Sequence, residues 1–348
     1  MKRWLSILLG LIISGLTLAY ALNGNDISKI GGELAGGNYL WAVPCLALIA
    51  VGLWLRAIRW RFLLQDRPTI AHSFHITNIA YFFNVVLPFR LGEVARAYLT
   101  TRLKPPISMF TAFSSVVVER LIDTLTVVVL VALAIVIRPV TPEVERGAQL
   151  VGAASTAALL ILIFFAVRPK FAHQIVDLVL KILPFLEKLG IRTLTERVLD
   201  GILPLGSLRG IAVTLLWTAL AWATSVAAGF FLLYVFYDAP TWDAALLMIA
   251  ITSLAVALPA APGSVGPFEA GVIAGLQVGG MIDPAAGLPN ERAFAYAVLL
   301  HIANVAVYAV LGYIGLMQER VSLREVFAAA RQTAANLRGK PISEEKSA

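Results

Sequence analysis

Apolar residues run unbroken along most of the chain, and polar residues gather in the gaps. Candidate spans, predominantly apolar, occupy residues 4–22, 39–56, 107–137, 148–167, 210–236 and 292–317, each near or above the ~20 residues that cross a hydrocarbon core ~30 Å thick. Two further apolar regions, 70–104 and 244–280, are broken by proline, glycine and charge. The first is too short for two ordinary spans at about 20 residues apiece. The pattern predicts an all-α polytopic membrane protein of about six spanning helices, with a re-entrant helical hairpin in each interrupted region.

Composition agrees with the pattern. The 348 residues are 59% hydrophobic and 14% charged, with mean hydropathy +0.82, which excludes an ordinary soluble domain. Residues 1–318 form a single integral membrane domain, and 319–348 a cytoplasmic amphipathic helix followed by a disordered tail, GKPISEEKSA. The basic start and the Ala19-Tyr20-Ala21 triplet imitate a signal peptide, yet the apolar length of 4–22 suits an uncleaved first span. Residues 170–200 alternate apolar groups with Asp177, Lys181, Glu187, Lys188 and Arg192 around Pro184, as expected of two surface helices.

Charge then sets orientation. Segments 1–3, 56–67, 168–209 and 318–348 hold nineteen lysines and arginines, against three in 23–38, 138–147, 237–243 and 281–291, so the first set is cytoplasmic. Both termini then lie inside the plasma (inner) membrane. Walking the spans from there, region 70–104 begins and ends at the cytoplasm and 244–280 begins and ends outside. Their sequences also match in kind: Leu87-Pro88 then Leu91-Gly92-Glu93, against Leu258-Pro259 then Gly266-Pro267-Phe268-Glu269. Paired Pro/Gly interruptions entering from opposite faces predict an inverted repeat with a site between the halves. The same topology accounts for the net charge of +7 without nucleic acid.

The candidate chemistry lies where charge interrupts apolar sequence, since a charge at the bilayer centre costs roughly 2.5–3.5 kcal/mol on insertion scales. Arg90, Glu93 and Arg96 share one helix face, and their surplus positive charge suits a phosphate; the alternative is that they snorkel at the interface. Glu119, Arg120 and Asp123 interrupt VVVERLIDTLTVVVL, either as a self-neutral cluster joining helices or as partners of Arg90 or Arg96 across a cavity. Gly92, Pro262, Gly263 and Gly266 mark the hairpin tips, which must line a wet cavity or be covered by protein, and the helix starts beyond them favour anions. Glu93 and Glu269 place carboxylates there that can answer protonation or a cationic head group. His301, Asn304 and Tyr308 form a polar stripe for interhelical hydrogen bonds or for lining the cavity. Trp217 and Trp222 read as packing or interface residues. The lone Cys45 and four scattered histidines, His72 and His75 among them, supply no metal site, and no Walker motif is present; no cofactor is expected.

The combination of LPFRLGE, VVVERLID and LPAAPGSVGPFEAG resembles the flippase-like transmembrane family related to the membrane region of lysylphosphatidylglycerol synthases, over about residues 1–320. The resemblance implies movement of lipids or lipid-linked molecules between leaflets, with Arg90, Gly92 and Glu93, then Glu119, Arg120 and Asp123, then Pro262, Gly263, Gly266 and Glu269 as its signatures. The synthases of that family carry a soluble transferase domain after the membrane region, which is not expected here. The expected activity is therefore that of a transporter of lipids, anionic ones foremost, whose phosphate is received in a central cavity. Alternatives are a non-catalytic partner of a lipid- or glycan-synthesis enzyme, or an intramembrane lipid-modifying enzyme using Ser264 and His301. Oligomeric state stays open.

Overall fold

The computed structural model describes residues 2–87, 91–137, 142–183, 187, 191–257, 261–282 and 290–326, and every regular element among them is helical. In chain order these are α1 (Lys2–Leu22), α2 (Ile27–Ala35), α3 (Ala42–Leu63), α4 (Ile70–Val86), α5 (Leu91–Thr100), α6 (Met109–Ile137), α7 (Pro142–Val167), α8 (Pro169–Ile182), α9 (Ile191–Ile202), α10 (Leu208–Leu233), α11 (Trp242–Ala255), α12 (Pro267–Val278) and α13 (Glu291–Gln318). Side-chain caps start several of them. Thr69, Ser207, Thr241 and Asn290 each accept the backbone N–H three residues on, which satisfies one of the donors a helix start leaves open.

Among the described residues, three segments are long and apolar enough to cross a membrane: Tyr39–Leu63, Leu208–Leu233 and Glu291–Gln318. A fourth candidate is the pair Gly152–Val167 and Pro169–Ile182, bent by 96°. Pro169 at the first position of α8 lets a new helix start at once, and the bend turns its amphipathic stretch away from the axis of α7. The outer surface is what lipid requires. Val51, Trp54, Leu160, Ile161, Leu216, Ile302 and Val310 are all exposed on helices, an apolar exterior that marks an integral membrane protein.

Both interrupted regions fold as helical hairpins. Along α12, Gly271 meets Thr252, Gly275 meets Met248 and Gly279 meets Ala244, so the contact on α11 falls by four as that on α12 rises by four. The two helices are antiparallel, with glycine at every fourth position allowing close approach. In the first hairpin the Gly92 N–H donates to Asn84 Oδ1 at 2.9 Å, and a methyl at Gly92 would lie 2.0 Å from the Ala80 carbonyl oxygen, so α5 turns back along α4. At 1.5 Å per residue, these hairpin helices are about 15–26 Å long, each short of a ~30 Å core. Pro88, Phe89, Leu258, Pro259 and Ala260, on which the two tip motifs partly rest, lie outside the described residues, as do Pro184 and the tail from 327.

Two differences from the sequence reading matter. The helix begun at Ala42 continues to Leu63, so Arg56, Arg59 and Arg61 are helical residues and not part of a cytoplasmic loop; no proline or glycine stands between Gly52 and Pro68 to end it earlier. Segment 23–38 holds α2, started by Asp26, whose carboxylate accepts from the Ser28 N–H and hydroxyl. Its two internal glycines hide the helix from composition.

Candidate functional site

The charged residues converge on one network at the meeting of α3, α5, α6 and α10. Glu119, 1% exposed, lies among three guanidinium groups. Arg96 donates to it bidentately, Nη1 to Oε1 and Nη2 to Oε2, both at 3.1 Å. Arg120 Nη2 donates to Oε1 at 2.7 Å, and Arg59 Nη2 stands 3.4 Å away. Asp123 accepts from Arg59 Nη1 at 2.6 Å, from Arg59 Nη2 at 3.1 Å and from Trp222 Nε1 at 3.1 Å. Arg59 also donates to the Thr218 hydroxyl at 3.0 Å. Glu93 closes the set, 3.7 Å from Arg120 Nε and 4.0 Å from Arg96 Nη1.

Three arginines and three carboxylates therefore cancel. Cancellation is what makes burial tolerable, because an unpaired charge in a low-dielectric interior costs far more than a pair. Aromatic residues complete the shell. The Arg96 guanidinium lies 3.9 Å above the Trp60 ring, and Trp60 Nε1 donates to Ser115 Oγ at 3.1 Å. With 1% exposure, Arg96 does not snorkel to the interface, because Glu119 and Trp60 hold it inside. Glu119 and Asp123 meet Arg59 and Arg96; Arg90 lies outside the described residues.

The network opens on one side. The Arg120 side chain is 36% exposed against 1% for Glu119. Nearby, Arg56 is half-buried, donates to Ser225 Oγ at 3.0 Å and joins no ion pair among the described residues, so it adds a positive charge that the network does not cancel. Tyr308 feels the charge of Arg56 and lies ring to ring with Tyr81 at 5.1 Å, while Tyr81 in turn is within electrostatic reach of Arg120. Arg56, Arg59, Thr218, Trp60 and Trp222 were not legible as site residues. The usable signal was the i, i+3 spacing of Arg56 and Arg59 in a run with nothing to break its helix.

A second polar cluster lies at the tip of the α11–α12 hairpin. Ser264, Gly263 and Gly266 have φ of 59°, 72° and 95°; at Gly266 a side chain is further excluded by the Ser14 carbonyl, 2.3 Å from where a Cβ would sit. Glu269 Oε2 accepts from the Gly266 N–H at 2.7 Å, and Ser14 Oγ accepts from the Ala261 N–H at 2.9 Å. His301, on α13, meets Glu269 Oε1 through Nδ1 at 2.5 Å and the Gly263 carbonyl through Nε2 at 3.0 Å, and stacks on Phe268. The stripe on α13 therefore divides: His301 joins the hairpin, while Asn304 donates to its own helix at Leu300 and accepts from Tyr308. Pro262 is exposed and begins the turn. Gly92 seats α5 on α4 through Asn84 and the Ala80 carbonyl.

The described residues hold no group of three or more histidine, cysteine or acidic side chains that could bind a metal. Cys45 is buried and unpaired with another cysteine, a packing residue. No curated protein matches the chain closely enough to count as a relative. The family described as the lysylphosphatidylglycerol synthase TM region matches residues 7–312, a stretch that contains the charge network, both hairpins and all but the last turns of α13. On the strength of that match over most of its length, the chain belongs to the family of lysylphosphatidylglycerol synthase transmembrane regions.

Proposed function

We propose that the protein moves lipids or lipid-linked molecules between membrane leaflets, receiving the anionic phosphate of the head group beside Arg120 and Arg56. One observation carries this reading: a buried charge network that is neutral in itself but partly exposes Arg120, with Arg56, one turn before Arg59 on α3, holding no acidic partner among the described residues. A neutral scaffold fixes the arginines without consuming the charge needed for a ligand, and guanidinium groups suit phosphate. The short α4–α5 and α11–α12 hairpins enter, in this proposal, from opposite faces as an inverted repeat in the plasma membrane, with both termini cytoplasmic. Tyr81 and Tyr308, ring to ring at 5.1 Å, join α4 to α13 between the network and the second hairpin. The surplus that the sequence places on Arg90 and Arg96 falls here to Arg56, since Glu119 occupies Arg96.

Lipid-modifying chemistry by Ser264 and His301 is disfavoured, because both ring nitrogens of His301 already face partners and none is left to act as a base. The test is exchange of fluorescent phospholipids between leaflets of vesicles holding purified protein, read by quencher accessibility, for anionic, zwitterionic and polyprenyl-phosphate lipids. Exchange by the wild type that falls at least tenfold in Arg56→Gln and Arg120→Gln is expected. No exchange with any of these lipids would overturn the reading and favour a partner of a lipid- or glycan-synthesis enzyme.

A further inference from the structure

The contacts of His301 count protons. Its Nε2 lies 3.0 Å from the Gly263 carbonyl oxygen, which can only accept, so Nε2 must carry a hydrogen. Its Nδ1 lies 2.5 Å from Glu269 Oε1, so a further proton must sit between those two atoms, whichever of them owns it. Oε2 of the same carboxylate is already an acceptor, from the Gly266 N–H at 2.7 Å. Rotating the imidazole by half a turn offers no escape, because it would place ring carbons against both oxygens. The arrangement is satisfied only as imidazolium with carboxylate, or as neutral imidazole with carboxylic acid. Both forms carry net charge zero and one proton more than neutral histidine beside an ionised glutamate.

We propose that Glu269 and His301 form a binding site for one proton, and that its occupancy latches the turn at 261–266 to α13. Release transfers the proton to water and leaves the pair with net charge −1. Then either the Nδ1 lone pair faces the carboxylate at 2.5 Å, or the remaining ring proton moves to Nδ1 and the Nε2 lone pair faces the Gly263 carbonyl at 3.0 Å. One of the two contacts that hold the turn becomes repulsive. The turn is suited to respond, being built on three consecutive-region residues with positive φ, Gly263, Ser264 and Gly266, which cost free energy that the surrounding contacts must supply.

Among the described residues, α3 packs on α13 and brings Arg56, which acts on Tyr308, two turns along α13 from His301. Beyond Glu269, α12 has no charged residue. On α13 the next titratable groups are Tyr296 and Tyr308, and its charged residues Glu291 and Arg292 lie at the far end. On α1, which contributes Ser14 and Thr17, Lys2 and Arg3 lie at its start, about 16 Å away along the axis. On α11 the charged residue is Asp243, in the first turn, away from the tip; α4 presents the Val85 carbonyl to Gly263 and carries Tyr81, with His72 and His75 towards its other end. Arg90 is outside the described residues. Among the described residues no other charged group pairs with Glu269 or His301, so the proton neutralises the pair itself. This inference goes beyond the transport reading, since it holds for any cargo, and a site loaded by a proton at the hairpin turn is what coupling to a proton gradient requires.

The test uses the full chain in lipid nanodiscs. Nitrogen NMR of the histidine-labelled protein, with His301 assigned by its loss in His301→Gln, reports both ring nitrogens directly. A nitroxide on Val265→Cys, a position 43% exposed, reports the turn in a Cys45→Ala background. As pH is raised through and above the roughly 5–8 range in which histidines ordinarily change charge, the pair loses one proton in a single step and the nitroxide becomes more mobile over the same interval. Glu269→Gln supplies an amide donor to Nδ1 and a carbonyl acceptor to Gly266, so its turn stays immobile at every pH. Ring-nitrogen signals of wild-type His301 that do not change with pH, a nitroxide that does not follow the titration, or a Glu269→Gln turn that loosens with pH as the wild type does would each overturn the proposal. None of these readouts requires transport.

Discussion

Glu119→Gln is the sharpest perturbation of the charge network. The carboxylate at this position receives Arg96 bidentately and Arg120 directly, with Arg59 at 3.4 Å, and is 1% exposed. Replacing it with an amide leaves two carboxylates, Glu93 and Asp123, to offset three arginines, and points an NH2 donor at a guanidinium. Removing one partner of a buried ion pair costs about 3–5 kcal/mol. At about 2 °C per kcal/mol for a chain longer than a couple of hundred residues, the melting temperature falls by about 6–10 °C. The protein carries its own reporter: Cys45 is the sole cysteine and is 0% exposed, so a thiol-reactive fluorogenic dye signals unfolding from one site. Because Arg96 and Glu119 touch, the double variant Arg96→Gln with Glu119→Gln restores charge balance and melts above the sum of the single effects, by a coupling of about 1–3 kcal/mol. A Glu119→Gln protein that melts within about 2 °C of wild type, or strict additivity in the double variant, would refute the account of a buried, mutually dependent network.

Other predictions follow from single contacts. Gly92→Ala forces a methyl to 2.0 Å from the Ala80 carbonyl and should lower stability by about 1–3 kcal/mol or more, measured by the same dye. Trp60→Phe keeps the aromatic face under Arg96 but removes the N–H that Ser115 Oγ accepts, leaving that hydroxyl its bond to the Ala112 carbonyl; about 1 kcal/mol of lost stability is expected by melting, less than for Trp60→Ala, which also removes the stacking platform. At the end of α9, burial raises the Asp200 carboxyl, but hydrogen bonds from Arg67, Gln65 and Thr111 outweigh it and hold Asp200 below its ordinary value. The stability this contributes is full above the ordinary aspartate value of about 3.9 and is lost as pH falls through the lowered one. Asp200→Asn is therefore less stable than wild type by about 0–1 kcal/mol at neutral pH, with the gap closing in acid; an unchanged gap in acid would contradict the assignment.

The hydropathy pattern located α1, α3, α6, α7, α10 and α13 to within several residues, because the bilayer selects apolar length directly. The two hairpins were legible from proline and glycine, and the residues Glu93, Arg96, Glu119, Arg120 and Asp123 from the cost of charge in apolar sequence. The pairing was not. Arg59 meets Asp123 across 64 residues, a contact fixed by how α3 packs on α6 and α10, and nothing local in either sequence encodes it. Arg56 and Arg59 were assigned to a loop because a hydropathy window ends where charge begins, whereas a helix ends where its capping does. Trp222, read as packing, donates to Asp123; an indole shows its hydrogen-bonding role only once its partner is placed. The Glu269–His301 contact likewise needed the fold, though each residue stood out alone.

The separation of Arg59 from Asp123 also sets a schedule for synthesis. With 64 residues between them and a ribosome adding roughly 5–20 residues per second, Arg59 leaves the exit tunnel about 3–13 s before its principal carboxylate does. Throughout most of that interval α3 carries Arg59 without either of its own carboxylate partners, the acids made meanwhile being Asp66, which pairs with Arg61, and Glu93 once α5 follows. Arg59 stands one turn from the end of α3 at Leu63, near enough to the polar boundary to wait there. Final seating of α3 therefore belongs to a late moment in biogenesis, after α6 has been delivered, and any delay between these helices lengthens the time the nascent chain spends half-assembled.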